Sequence, residues 1–119
     1  MRFANVTHRQ DYNEMANRYG LVDNEVEPGS ALYVLAAIAT QADTIRRHVD
    51  HRRVNFPALL EVAEAWSSGE RTMLRLAAEL FNASIYKFPL SECLAGLDGR
   101  NFTVAMTALR NRFDPTEED

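Results

Sequence analysis

Two groups of residues in this chain have the types and spacing to do chemistry. The first is the run Arg46-Arg47-His48-Val49-Asp50-His51-Arg52-Arg53, with four guanidinium groups in eight residues. Guanidinium groups make bidentate contacts with carboxylates and phosphates, so the run suits an acidic protein surface or a phosphate backbone. Arg46, Arg47, His48, His51, Arg52 and Arg53 are therefore the first candidate partner-binding residues. The plainer account is a helix C-terminus where cations oppose the dipole, with local pairing to Asp43 and Asp50. His48 and His51 would share a face on a continuing helix. Four neighbouring cations oppose a metal ion there, and no third ligand has telling spacing, so no metal site is expected. The second group is Arg100, Thr103, Thr107 and Arg110, which fall on one face of a helix. Arginine and threonine can reach base edges and phosphates, and Arg71 and Arg75 on the preceding long helix extend the set. These six form the alternative nucleic-acid or partner face. Against a nucleic-acid role, the chain turns acidic directly afterwards, with Asp114, Glu117, Glu118 and Asp119.

The remaining reactive side chains are not arranged as a catalytic centre. Asp23, Glu25 and Glu27 lie in a loop, and Glu61 and Glu64 share a helical face, but none comes with a nucleophile or histidine in recognisable order. No P-loop, G-x-G-x-x-G, H-E-x-x-H or G-x-S-x-G pattern occurs. Ser68-Gly69 at a helix start would suit an anion, although capping explains it more simply. The single cysteine, Cys93, excludes an internal disulfide and a multi-cysteine zinc site, and its apolar context reads as a buried, inert thiol. Neither an enzyme nor a cofactor is expected.

The elements that must position these residues read as helices throughout. The length of 119 residues suits one domain, and 46% hydrophobic residues suit a folded globule. The net charge of -4 disfavours nucleic acid and anionic membrane except through a local basic patch. With no apolar signal core at the N-terminus and no apolar run near ~20 residues, the expected location is the cytoplasm. Thr7 and Gln10 have capping-box spacing ahead of a helix at about 8–19, which Gly20 ends. Residues 21–29 read as an acidic loop. Ser30 reads as the N-cap of a central helix over 30–50, apolar nearly all round, so that Leu35 and Ile38 should be buried. Pro57 opens a third helix. Ser67 and Glu70 form a second capping box, followed by the stripe Met73, Leu74, Ala77, Leu80 and Phe81. Residues 84–88 alternate weakly, as a short extended segment would. Ser91 caps a short helix over 91–95, Gly96 breaks it, and Asp98 caps the last helix, about 99–112. Phe102, Ala105, Met106, Leu109 and Phe113 are the expected inner face of that helix. The expected fold is all-α, one bundle of five to six helices with a helix-turn-helix-like C-terminal unit. Residues 1–6 and 114–119 read as loose ends.

The blocks Ala31-Leu32-Tyr33-Val34-Leu35-Ala36-Ala37, Ser67-Ser68-Gly69-Glu70-Arg71, Leu80-Phe81-Asn82 and Leu97-Asp98-Gly99-Arg100-Asn101-Phe102, with Ala108-Leu109-Arg110-Asn111-Arg112-Phe113, carry a resemblance. Over residues 31–113 the chain is similar to an uncharacterised family of small proteins from bacteria, phages and mobile elements. That family has no established activity, so the resemblance assigns no functional residue. It implies a context in which small proteins bind and inhibit or redirect a larger host machine. The expected function is accordingly a non-enzymatic protein-binding module acting on a host defence or nucleic-acid-processing system, with a host or phage protein as partner. A helix-turn-helix DNA-binding regulator is the alternative, and a phage assembly chaperone or structural accessory protein the third reading.

Overall fold

A computed structural model describes residues 2–114. Its element order is α1 (Val6–Tyr19), α2 (Val26–Ala36), a 3-10 turn (Ala39–Gln41), α3 (Ala42–Arg47), β1 (Val49–Asp50), β2 (Arg53–Val54), α4 (Phe56–Val62), a second 3-10 turn (Ala63–Ala65), α5 (Ser68–Phe81), α6 (Leu90–Leu94) and α7 (Gly99–Phe113). Among the described residues the fold is all-α apart from one antiparallel two-residue hairpin, β1–β2, with Val49 opposite Val54 and Asp50 opposite Arg53.

The centre of the molecule is α2, which lies against α1, α5 and α7. Every residue from Ala31 to Ile38 is buried, with Leu35 at 0% exposure and Ile38 at 4%. The helix itself differs from the sequence reading in both limits. It begins at Val26, inside the stretch read as an acidic loop, where Pro28 in the first turn lacks only an N–H that would have no partner. Ser30 is not its cap; it sits buried within the helix and donates to the Val26 carbonyl. Nor does the helix run on to residue 50. A straight helix over 30–50 would be about 32 Å long, as long as the molecule is wide at 33 × 31 × 28 Å. The chain instead leaves the helix at Ala37, turns through Ala39–Gln41 and re-enters as the short α3. The Thr40 hydroxyl donates to the Glu70 carboxylate there, which docks the break onto the start of α5.

The helix ends follow local chemistry. Asn5, rather than Thr7, caps α1 by accepting from the His8 N–H at 2.8 Å, and Gly20 ends it with φ 78°. Residues 2–5, read as loose, are tied down. Phe3 packs against His8, Tyr12 and Tyr33, and the Tyr33 hydroxyl donates to the Arg2 carbonyl. Asn55 caps α4, with Pro57 in its first turn. Ser67 and Glu70 form the full capping box of α5: Ser67 Oγ accepts from the Glu70 N–H at 3.2 Å, and Glu70 Oε1 accepts from the Ser67 N–H at 3.0 Å. Asp98 caps α7 by accepting from the Asn101 N–H at 2.7 Å. Residues 84–88 form turns and irregular chain, not a strand. Of the acidic end read as loose, residues 115–119 lie outside the described residues.

Candidate functional site

The basic run 46–53 is divided by the fold. Helix α3 stops at Arg47, so His48 and His51 never share a helical face. His48 Nδ1 donates to the Thr44 carbonyl at 2.8 Å, while His51 stands at the exposed tip of the hairpin. Arg46 turns inward, with its side chain 22% exposed, and bridges Asp11 and Glu14 of α1, each at 3.1 Å, as well as Asp43. Arg52 lies across the end of α1. Both of its Nη atoms donate to the Glu25 carboxylate, Nη1 also donates to the Gly20 carbonyl at 3.0 Å, and the guanidinium lies 4.9 Å from the Tyr19 ring centroid. Its own N–H donates to the Tyr19 carbonyl at 2.8 Å, and φ there is 63°. The guanidinium bonds pull the Glu25 carboxyl down to about 2. Two of the four arginines are thus committed to holding α3 and the hairpin on α1. Arg47 reaches only the Thr44 hydroxyl at 3.4 Å, and Arg53 makes no ion pair with a described residue. The sequence reading could not separate the two pairs, because their partners Asp11 and Glu25 are distant in the chain.

The last helix is rotated relative to its expected orientation. Its buried residues are Val104, Ala105 and Ala108, with Leu109 partly buried. Phe102 and Met106 are each 45% exposed and Phe113 is 69% exposed, so these three leave the inner face assigned to them. Small side chains explain the choice. Alanines at 105 and 108 let the backbone of α7 approach α2 and α5 closely, whereas Phe102, Met106 and Phe113 would hold it off. Leu90 at the start of α6, 47% exposed, adds to the same outward surface. Together with Thr103, Thr107, Leu109 and Arg110 they line an open groove of about 670 Å³. The outer face of α7 therefore combines an apolar stripe with the polar set Thr103, Thr107 and Arg110.

Those polar residues are less available to bases than their types suggest. Thr103 Oγ1 donates to the Gly99 carbonyl at 3.0 Å and Thr107 Oγ1 to the Thr103 carbonyl at 2.9 Å, so both hydroxyl protons are used within the helix. Arg100 is exposed at the other end of the polar edge, beside a hollow of about 140 Å³ that includes Thr40, Glu70 and Asn101. Arg71 donates to the Glu64 carbonyl at 3.2 Å, and Arg75 lies 5.6 Å from the Phe88 ring centroid. The six residues of the alternative face thus do not form one basic surface. The helix-turn-helix-like order is present: α5, α6, the four residues 95–98 with Gly96 at φ 81°, then α7.

No reactive constellation replaces these surfaces among the described residues. Cys93 is 3% exposed, and burial, with Glu79 nearby, pushes its thiol up, away from the reactive thiolate. No three His, Cys, Asp or Glu side chains come together as metal ligands among the described residues. No described helix is long and apolar enough to cross a membrane. His8 is buried at 1% and fully engaged: Nε2 donates to the Tyr33 carbonyl at 2.8 Å, and Nδ1 accepts from the Ala4 N–H at 3.0 Å. Burial holds it neutral, with its pKa below the usual 6.5. Against known proteins, no family model, curated protein or solved structure matches this chain.

Proposed function

We propose that this protein is a small non-enzymatic protein-binding module whose docking surface is the outer face of α7 with Leu90. The observation that carries the reading is the exposure of Phe102, Met106, Phe113 and Leu90 side by side on one face. Contiguous exposed apolar surface rimmed by polar groups is the usual mark of a protein interface, and aromatic residues and methionine are enriched in such patches. The resemblance to small phage and mobile-element proteins supplies the context of a host or phage machine as eventual target. The basic corner contributes less than its sequence suggests, because Arg46 and Arg52 already have partners; Arg47 and Arg53 are what it offers.

The test is capture of partner protein by the immobilised chain. Phe102→Gln with Met106→Gln should abolish capture, and Arg47→Glu with Arg53→Glu should retain most of it. Unchanged capture by the first double variant contradicts the reading. A DNA-binding regulator is the second reading, favoured by the order of α5, α6 and α7 with Arg100 exposed near the start of α7. It requires duplex binding that falls steeply with salt and that Arg100→Ala with Arg110→Ala removes.

A further inference from the structure

The segment ahead of α1 is fastened to the bundle through one imidazole. The His8 ring is buried and bonded on both nitrogens to groups whose roles are fixed. The Ala4 N–H can only donate, so Nδ1, 3.0 Å away, carries no hydrogen. The Tyr33 carbonyl can only accept, so Nε2, 2.8 Å away, carries one. The two bonds serve different parts of the fold. Nε2 holds α1 to α2, and Nδ1 holds the strap formed by residues 2–4.

The strap rests on the same ring and its aromatic neighbours. Phe3 meets His8 edge-on at 5.2 Å between ring centroids, and meets Tyr12 and Tyr33 at 5.5 and 5.6 Å. The Tyr33 hydroxyl donates to the Arg2 carbonyl. Arg2 and Ala4 are exposed, and Phe3 is half-buried. Helix α1 has fastenings of its own that do not pass through the strap. Met15 and Tyr19 are buried, Arg46 bridges Asp11 and Glu14, and the Arg52 N–H bonds to the Tyr19 carbonyl.

A proton added to His8 can go only to Nδ1. Nε2 keeps its hydrogen and its bond to α2. Nδ1 turns from acceptor to donor and then faces a second donor, the Ala4 N–H, while the new charge needs water. Moving the strap off the ring meets both demands. The surrounding groups place this change in mild acid. Burial opposes the charge most strongly and Arg100 of α7 adds repulsion, whereas the Tyr33 carbonyl and Asp11 of α1 favour it. Asp11 is itself shared with Arg46 at 3.1 Å. The other nearby cations are Arg2 in the strap and Arg9 of α1, whose guanidinium lies 5.5 Å from the Phe3 ring centroid. The phenols of Tyr12 and Tyr33 carry no charge in acid. A closed strap thus goes with neutral His8 and an open strap with the imidazolium, the change falling below pH 6.5.

We propose that His8 is a proton-sensitive latch: when Nδ1 takes a proton, residues 2–4 leave the face of α1 and α2 while the helices stay packed. Release uncovers the rings of His8, Tyr12 and Tyr33 as one aromatic surface. Because the coupling is reciprocal, whatever loosens the strap makes His8 easier to protonate.

An NMR titration of the isotope-labelled chain, from about pH 7.5 to about pH 4.5 across the imidazole range, tests it. The Phe3 and Ala4 signals should shift with the His8 ring signals at one midpoint below 6.5, while those of Leu35 and Met15 stay in place. Protection of the Ala4 amide from exchange should fall by at least ~10-fold across that midpoint, as for a local opening. In His8→Gln the side-chain oxygen can accept from Ala4 and the amide can donate to Tyr33, so the strap should stay closed throughout. Phe3→Ser, a change in the strap alone, should raise the His8 midpoint towards 6.5. A His8 ring that titrates while Ala4 stays protected overturns the proposal, as does loss of the Leu35 signal at the same midpoint. So does a strap that opens in His8→Gln, an unmoved His8 midpoint in Phe3→Ser, or a wild type unchanged until the bundle unfolds.

Discussion

Helices α2 and α7 begin from similar material and end in opposite environments. Both carry enough apolar residues to be buried on two sides. In α2 the large side chains Leu32, Tyr33, Val34 and Leu35 are all inside, because α1, α5 and α7 surround it. In α7 the inside is held by Val104, Ala105 and Ala108, and the large Phe102, Met106 and Phe113 stay out. The lesson concerns size and not hydrophobicity. A helix with neighbours on all sides can use large side chains to fill the space between them. A helix laid on the outside of a packed core gains more from close backbone approach, which only small residues permit, and its bulkier apolar residues become surface.

The comparison predicts a graded set of mutational effects. The largest belongs to α2: Leu35→Ala should cost ~2–5 kcal/mol in a urea titration, as for other fully packed leucines. A smaller loss would mean that α2 is not the packing centre. On α7 the inner face should resist growth. Ala105→Leu should lose about 1–3 kcal/mol through overpacking, and a neutral outcome would put slack where the structure has contact. The caps come next. Ser67→Ala and Asp98→Ala should each cost about 0.5–2 kcal/mol, measured as a lowered melting temperature, and a wild-type melt would show that neighbouring donors need no such acceptor.

Acid should act on the contacts between α1, α2 and the hairpin in two steps. His8 is held neutral in the fold by burial, against a usual pKa of 6.5, so the unfolded chain binds its proton first. Its contribution is therefore complete above pH 6.5 and declines as pH falls below that value. The Glu25–Arg52 contact is lost only lower, between the ordinary carboxylate range and about 2. In His8→Gln the first decline should disappear while the second remains. Persistence of the first decline in that variant would assign it to another group.

Much of this fold was legible locally. The capping box Ser67–Glu70, the Asp98 cap, the Gly20 stop and the burial of Leu35 and Ile38 all depend on residues within one or two turns of each other, and the sequence carries them openly. What was hidden depended on the third dimension. The length of α2 was limited by the width of the molecule, and its break was pinned by Thr40 meeting Glu70, thirty residues away. The fates of Arg46 and Arg52 were decided by Asp11 and Glu25, which no spacing rule connects to them. The rotation of α7 was the most consequential miss. Counting apolar residues put Phe102, Met106 and Phe113 inside; weighing Ala105 and Ala108 as close-approach positions would have turned the helix the other way.

The central claim is that the large apolar residues of α7 are surface and not core. Its most direct test is the unfolding free energy of Phe102→Gln with Met106→Gln, taken at the lowest usable protein concentration so that association adds nothing. Glutamine keeps the helix propensity, so the account predicts a loss below about 1 kcal/mol, within the range of surface substitutions. A loss of roughly 4 kcal/mol or more, the scale for deleting two packed side chains, would contradict it.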